Sequence, residues 1–425
     1  MSALWFKSGR LLSPAHGLDQ QGDLLVMDGV IHQLGDVSNV PPSAKVIDAE
    51  GLWVAPSFVD LSHSLREPGL EHKATIASEC AAAAKGGFGA LCCPPDMEPV
   101  NDSAAVTGFI IDQALSVGKL AVHPIGALTK TLAGEQLSEM HALREAGCIA
   151  VTNLRRRFSH LQVALRCLEY ASSLNIKVIV CPQDVDLAAD GCAHDGALAS
   201  RLGLAAVPVL AETLAVAQWL ILAEETDAQL HFAQISTARA VTMIAEAKAK
   251  GIAVTADVAL ANLCYTERCL QDYDPMYHVQ PPLRSEDDRL GLLKGVNDGT
   301  LDGICSHHQP HERAAKQAPF AETSAGMCQA ELVWPQVLEL VNRGELQLSQ
   351  AITALTSGPA EALGLSPPGL MAGEPANITV LDARKKWVVN EQDLWSAGKN
   401  SPVIGAEVTG KPVFTCYRGV PVYRE

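Results

Sequence analysis

The sequence predicts an α/β fold, a (β/α)8 barrel joined to a small β-sandwich built from both termini. The middle of the chain alternates eight short apolar runs with longer stretches of helical period, the pattern of a barrel of parallel strands. The two ends instead read as strands and turns. With 425 residues, 48% of them hydrophobic, the chain can bury one large core and a smaller one.

In chain order, the first signal is Asp28-Gly29 between Leu24-Leu25-Val26-Met27 and Val30-Ile31, turn chemistry between two β-type runs and so a hairpin. Barrel strands are expected at residues 58–62, 88–93, 120–125, 148–152, 178–181, 230–235, 253–258 and 303–306. Helical segments at 74–85, 137–146, 160–172, 211–223 and 238–250 separate them, Ala-rich and often closed by glycine. The stretch 259–302 carries a polar loop and a helix near Arg289. Strand-like runs return at 378–381, 387–389 and 412–417, the last followed by an Arg418-Gly419 turn. The implied division is 1–54 and 367–425 for the two parts of the sandwich and 55–366 for the barrel.

Lys and Arg number 32 against 48 Asp and Glu, a formal charge of -16, and such a field repels phosphate backbones and anionic lipid heads. Neither nucleic acid nor a membrane is an expected partner. The longest helical apolar stretch, 214–223, is interrupted by Gln218 and falls short of the ~20 residues of a membrane span. Residues 1–14 lack a signal-peptide pattern, so cytoplasm is the expectation. The 12 cysteines show no C-x-x-C spacing and read as buried thiols.

Chemistry in such a barrel belongs to the C-terminal strand ends. There the chain shows Asp60-Leu61-Ser62-His63-Ser64-Leu65-Arg66-Glu67-Pro68-Gly69, Pro95-Asp96-Met97-Glu98-Pro99-Val100-Asn101-Asp102, His231-Phe232-Ala233-Gln234-Ile235-Ser236-Thr237, Pro281-Pro282-Leu283-Arg284 and Ser306-His307-His308-Gln309-Pro310-His311. Together these segments resemble the dihydroorotases of the amidohydrolase superfamily across nearly the whole chain. The resemblance implies an amidohydrolase-type barrel and, in working members, zinc held by histidines and aspartates with an aspartate at the last strand as proton shuttle. Carried over residue by residue, the two strand-1 histidines are Ser62 and Ser64, the acidic position after strand 4 is Asn153, the strand-5 histidine is Cys181, the strand-6 histidine is Gln234 and the last-strand aspartate is His307.

Ligand chemistry gives the consequence. Neutral hydroxyls and amides bind zinc poorly, and Cys181 alone cannot supply the about four ligands the ion takes. Without the ion, water keeps a pKa of ~15.7 rather than ~7, a loss on the order of 12 kcal/mol in nucleophile activation at neutral pH. Arg66, which the resemblance assigns to the substrate carboxylate, survives as a vestige; its usual asparagine companion is Asp96, a negative charge where an anionic substrate would lie.

The expectation is therefore no catalytic residues, no metal and no cofactor. The chain closely resembles the non-catalytic dihydroorotase-like subunits of bacterial aspartate carbamoyltransferases, and the resemblance implies a carbamoyltransferase catalytic chain as partner, in a hetero-oligomer of dodecameric type serving pyrimidine biosynthesis. The enzymatic alternative is an amidohydrolase acting on a cyclic amide through a rebuilt single-metal site at Asp60, Cys181, His307 and His308. Three narrower readings accompany these. His63 is a structural histidine, because strand alternation turns it away from Ser62 and Ser64. Ser62 or Ser64 with His307 and Asp60 has the residue types of a serine hydrolase. Arg155-Arg156-Arg157 is a solvated loop or an anchor for an acidic partner.

Overall fold

The computed structural model describes residues 3–425. Five strands open the chain: β1 Ala3–Ser13, β2 Leu18–Met27, β3 Val30–Gly35, β4 Lys45–Asp48 and β5 Trp53–Pro56. Asp28 and Gly29 take positive φ, the conformation a two-residue hairpin turn needs, and join β2 to β3 as expected.

The barrel follows with β6 Phe58–Asp60, β7 Phe88–Cys93, β8 Ala121–Ala127, β9 Ala150–Thr152 and β10 Lys177–Val180. A short ribbon, β11 Ala193–His194 with β12 Ala206–Val207, interrupts it, and β13 Leu230–Phe232, β14 Val254–Ala259 and β15 Gly303–Cys305 complete it. The eight barrel strands pair in parallel in sequence order from β6 to β15. All eight expected strands are present, four of them (β6, β9, β13 and β15) a residue or more shorter. Between β15 and β6 the circuit is closed beyond the strand ends, where Ser64 N donates to His308 O at 2.9 Å. Leu61, Cys92, Ile125, Ala150, Ile179, Ala259 and Cys305 come from seven staves and form one buried cluster, the packed barrel interior.

The helices reflect local signals. Thr75 caps Ile76–Lys85 through a reciprocal bond with Ser78, and Thr237 and Ser285 cap Ala238–Ala249 and Glu286–Asn297. The expected helix near Arg289 is the last of these.

The chain ends with β16 Ile378–Val388, β17 Glu407–Tyr417 and β18 Val420–Arg424. Antiparallel pairing of β16 with β5 joins the two ends of the chain in one sheet, and β5 reaches Pro56, two residues past the boundary expected at 54. This continuous sheet, rather than two separate ones, is folded on itself. Phe6 and Phe414 lie three strands apart in sheet order, about 14 Å if the sheet were flat, yet their rings pack edge to face at 5.5 Å. After β16 the chain returns to the barrel, where Ser396 and Asn400 bond to Glu79 and His311.

Candidate functional site

All the positions singled out from the sequence lie on loops leaving the C-terminal ends of barrel strands. Ser62, Ser64 and Arg66 follow β6, Asp96 follows β7, Asn153 and Arg155 follow β9, Cys181 follows β10, Gln234 follows β13 and His307 follows β15. Arg66, Leu154, Gln234 and His307 take positive φ, which costs a non-glycine residue on the order of 1 kcal/mol or more and needs firm support from its surroundings.

Across the mouth runs a chain of polar side chains. Arg155 Nη2 donates to Gln234 Oε1 at 2.7 Å, and Gln234 Nε2 donates to Ser62 Oγ at 3.1 Å. A guanidinium thus reaches residues beyond β13 and β6, at positions where the family resemblance places metal ligands. Of the triplet Arg155-Arg156-Arg157, read from the sequence as a solvated loop or an anchor for an acidic partner, only Arg156 and Arg157 are exposed, and Arg155 is half-buried. The cation is felt nearby. Burial above all, then Arg155, pushes the His307 imidazole down to about 3, so it stays neutral at ordinary pH. Cys181 is raised by burial, with Arg155 opposing, so its thiol holds its proton at neutral pH.

Asn153 turns to the loop after β8, accepting from Thr129 Oγ1 at 2.6 Å. Arg66 donates through Nε to Pro310 O at 3.2 Å, and its Nη1 lies 3.5 Å from Asp96 Oδ2. The guanidinium assigned to a substrate carboxylate therefore already faces a carboxylate of its own chain. Asp257 supports the floor, accepting from Gln234 N at 2.7 Å and pairing with His231 at 2.8 Å.

These residues do not fit the zinc that the fold family implies. Of Ser62, Ser64, Asn153, Cys181, Gln234 and His307, only Cys181 and His307 are strong ligand types, two where the ion takes about four, and Cys181 is held as a thiol beside a guanidinium. A monocation and a dication about 4 Å apart repel by roughly 8 kcal/mol at an effective dielectric of about 20. Nor do Asp60, Cys181, His307 and His308 converge as the rebuilt site requires. Asp60 is fully buried and accepts from Ser306 N at 2.9 Å while pairing with His63 Nδ1 at 2.9 Å. His308 is turned outward, its Nε2 2.6 Å from Glu79 Oε2 and its Nδ1 accepting from Gln329 N and Ala330 N. The serine-hydrolase arrangement fails too, since Asp60 orients His63 rather than His307 and the Ser62 hydroxyl is bonded to Gln234.

Among the described residues, His63, Glu79 and His308 are the one group of three possible ligands drawn together. His63 is a buried structural histidine as expected, stacked on His308 with ring centroids 4.4 Å apart. With Nδ1 of His308 accepting backbone N–H bonds, its ring proton sits on Nε2 and points at Glu79, so that nitrogen has no lone pair for an ion. Glu79 was not singled out in the sequence. Its signal was there: an acid in the Ala-rich helix, three residues from Ile76 and four from Ala83, on a face that must be buried.

The barrel and the strand-end mouth define an amidohydrolase-type fold. Residues 209–422 match the Amidohydrolase family and residues 51–240 the Dihydro-orotase-like family. A dihydroorotase-like protein of Pseudomonas aeruginosa is 43% identical over 413 residues, 97% of each chain, and a dihydroorotase of Syntrophotalea carbinolica is 41% identical over 418 residues, 98% of each. The chain belongs to the dihydroorotase-like family of the amidohydrolase superfamily. L-Hydantoinase from Arthrobacter aurescens, 23% identical, superimposes with a TM-score of 0.89 over 100% of this chain and 96% of its own, which shows a shared fold. No helix among the described residues is long and apolar enough to cross a membrane.

Proposed function

We propose that this chain is a catalytically inactive dihydroorotase homologue that serves as a structural subunit, needed for an aspartate carbamoyltransferase catalytic chain to assemble into its active complex. The observation that carries the loss of chemistry is the polar chain from Arg155 through Gln234 to Ser62, which sets a guanidinium and two neutral groups where hydrolysis would need a metal-activated water. The Arg66–Asp96 pair supports it, because Asp96 occupies the guanidinium that the resemblance assigns to the substrate carboxylate. The partner rests on the family resemblance of the sequence, and the well-packed barrel around an unserviceable mouth is consistent with a role played by the outer surface.

Two measurements test the two halves. Elemental analysis of protein purified without chelators should find zinc far below one per chain, and dihydroorotate should be neither opened nor formed; stoichiometric zinc with turnover would sink the inactive reading. Co-expression with the host's aspartate carbamoyltransferase should give one species in size-exclusion chromatography, with transferase activity dependent on it. A transferase that is fully active alone and never comigrates would sink the subunit reading.

A further inference from the structure

The cavity at the barrel mouth encloses about 380 Å³ and is lined by Arg155, Arg156, Gln234, Gln280 and His307, with Asp96 at its edge. That volume lies within the range of small-molecule sites. Its charge is the reverse of the molecule's. The chain as a whole carries -16, whereas two guanidinium groups face this cavity, and Asp96, the one acid among its described lining residues, is paired with Arg66 at 3.5 Å. A low-dielectric cleft focuses such a local field despite the surrounding net charge.

The donors are not used up. Arg155 Nη1 makes no hydrogen bond among the described residues, and the Arg156 side chain is exposed with no bond or ion pair among them. His307, neutral, can donate from its ring, and Gln280 presents an amide. The two adjacent cations of this mouth suit one compact dianion that only accepts hydrogen bonds. We infer that the barrel mouth binds the phosphoryl group of a small phosphate monoester, held between Arg155 and Arg156. Planar guanidinium forks match phosphate oxygens in pairs. That the ligand is bound and not turned over rests on the inactive reading above; the binding itself does not.

Isothermal titration calorimetry on the full chain tests this with inorganic phosphate and glycerol phosphate, with succinate and glycerol as controls. Both phosphates should saturate at one per chain and glycerol should not bind. Arg156→Gln, a change at a side chain that holds nothing in the fold, should weaken both phosphates by about tenfold or more. Arg166→Gln, on the exposed face of the helix Leu161–Ser173, should bind like the unmodified protein. The inference is overturned if neither phosphate saturates, if Arg156→Gln binds as tightly as the unmodified chain, or if succinate binds as well as phosphate. Hydrolysis of dihydroorotate by the same preparation would overturn the inactive reading and leave the binding result standing.

Discussion

Arg155 Nη2 and Gln234 Oε1 meet at 2.7 Å across the barrel mouth, 79 residues apart in sequence. The bond joins the loop after β9 to the loop after β13, and Gln234 passes it on to Ser62 after β6. Arg155→Met should therefore loosen the mouth by about 1–3 kcal/mol, the range for a hydrogen bond to a charged group. Thermal unfolding reads the loss. By NMR, the His307 imidazole should titrate at a higher pH once the neighbouring cation is gone, because Arg155 is the largest charge holding it down after burial. An unchanged His307 titration would remove Arg155 from the electrostatics of the mouth.

The same cation should block repair of the site. Restoring ligand types with Ser62→His, Ser64→His, Gln234→His and His307→Asp should yield little bound zinc while Arg155 remains, and markedly more when Arg155→Ala is added. Zinc content by elemental analysis is the readout. Equal zinc in both variants would show that the missing ligands alone keep the ion out.

Asp96→Asn should release Arg66 from its internal partner and free the guanidinium that the resemblance assigns to the substrate carboxylate. Dihydroorotate should then bind measurably tighter in a calorimetric titration while turnover stays undetectable, separating the binding defect from the chemical one.

Glu79 joins three elements. It accepts from His308 Nε2, Ser396 Oγ and Ala397 N, and it is fully buried. Burial opposes its charge, but those hydrogen bonds prevail and hold the carboxyl well below its ordinary 4.5. A carboxylate lowered in the folded state adds stability that is present above 4.5 and lost as pH falls below it towards the folded value. Glu79→Gln should cost several kcal/mol at neutral pH, since it leaves buried donors short of their charged acceptor. It should also flatten the decline in stability below pH 4.5. Denaturant unfolding across that range checks both.

Gly69 sits at φ 91° in the loop after β6, and a Cβ there would lie 1.9 Å from Glu98 O. Gly69→Ala meets backbone as well as an unfavourable φ, so about 2 kcal/mol or more of stability should be lost, visible as a lower melting temperature.

The order of elements is written in the sequence, because a barrel strand and its helix follow from local periodicity. The Asp28-Gly29 turn, the helix near 74–85 and all eight staves were legible for that reason. It also named the mouth, since strand ends are sequence positions, and it placed His63 away from the barrel through the alternation of a strand. Only the tertiary structure decided what those residues do to one another. Arg155 reads as one of three loop arginines until the fold brings Gln234 to it. The histidines 307, 308 and 311 stand within five residues of one another, yet the chain turns His307 into the mouth, His308 onto Glu79 and His311 beside Arg66. Direction and partnership of a long polar side chain depend on contacts far away in sequence, and no local pattern records them.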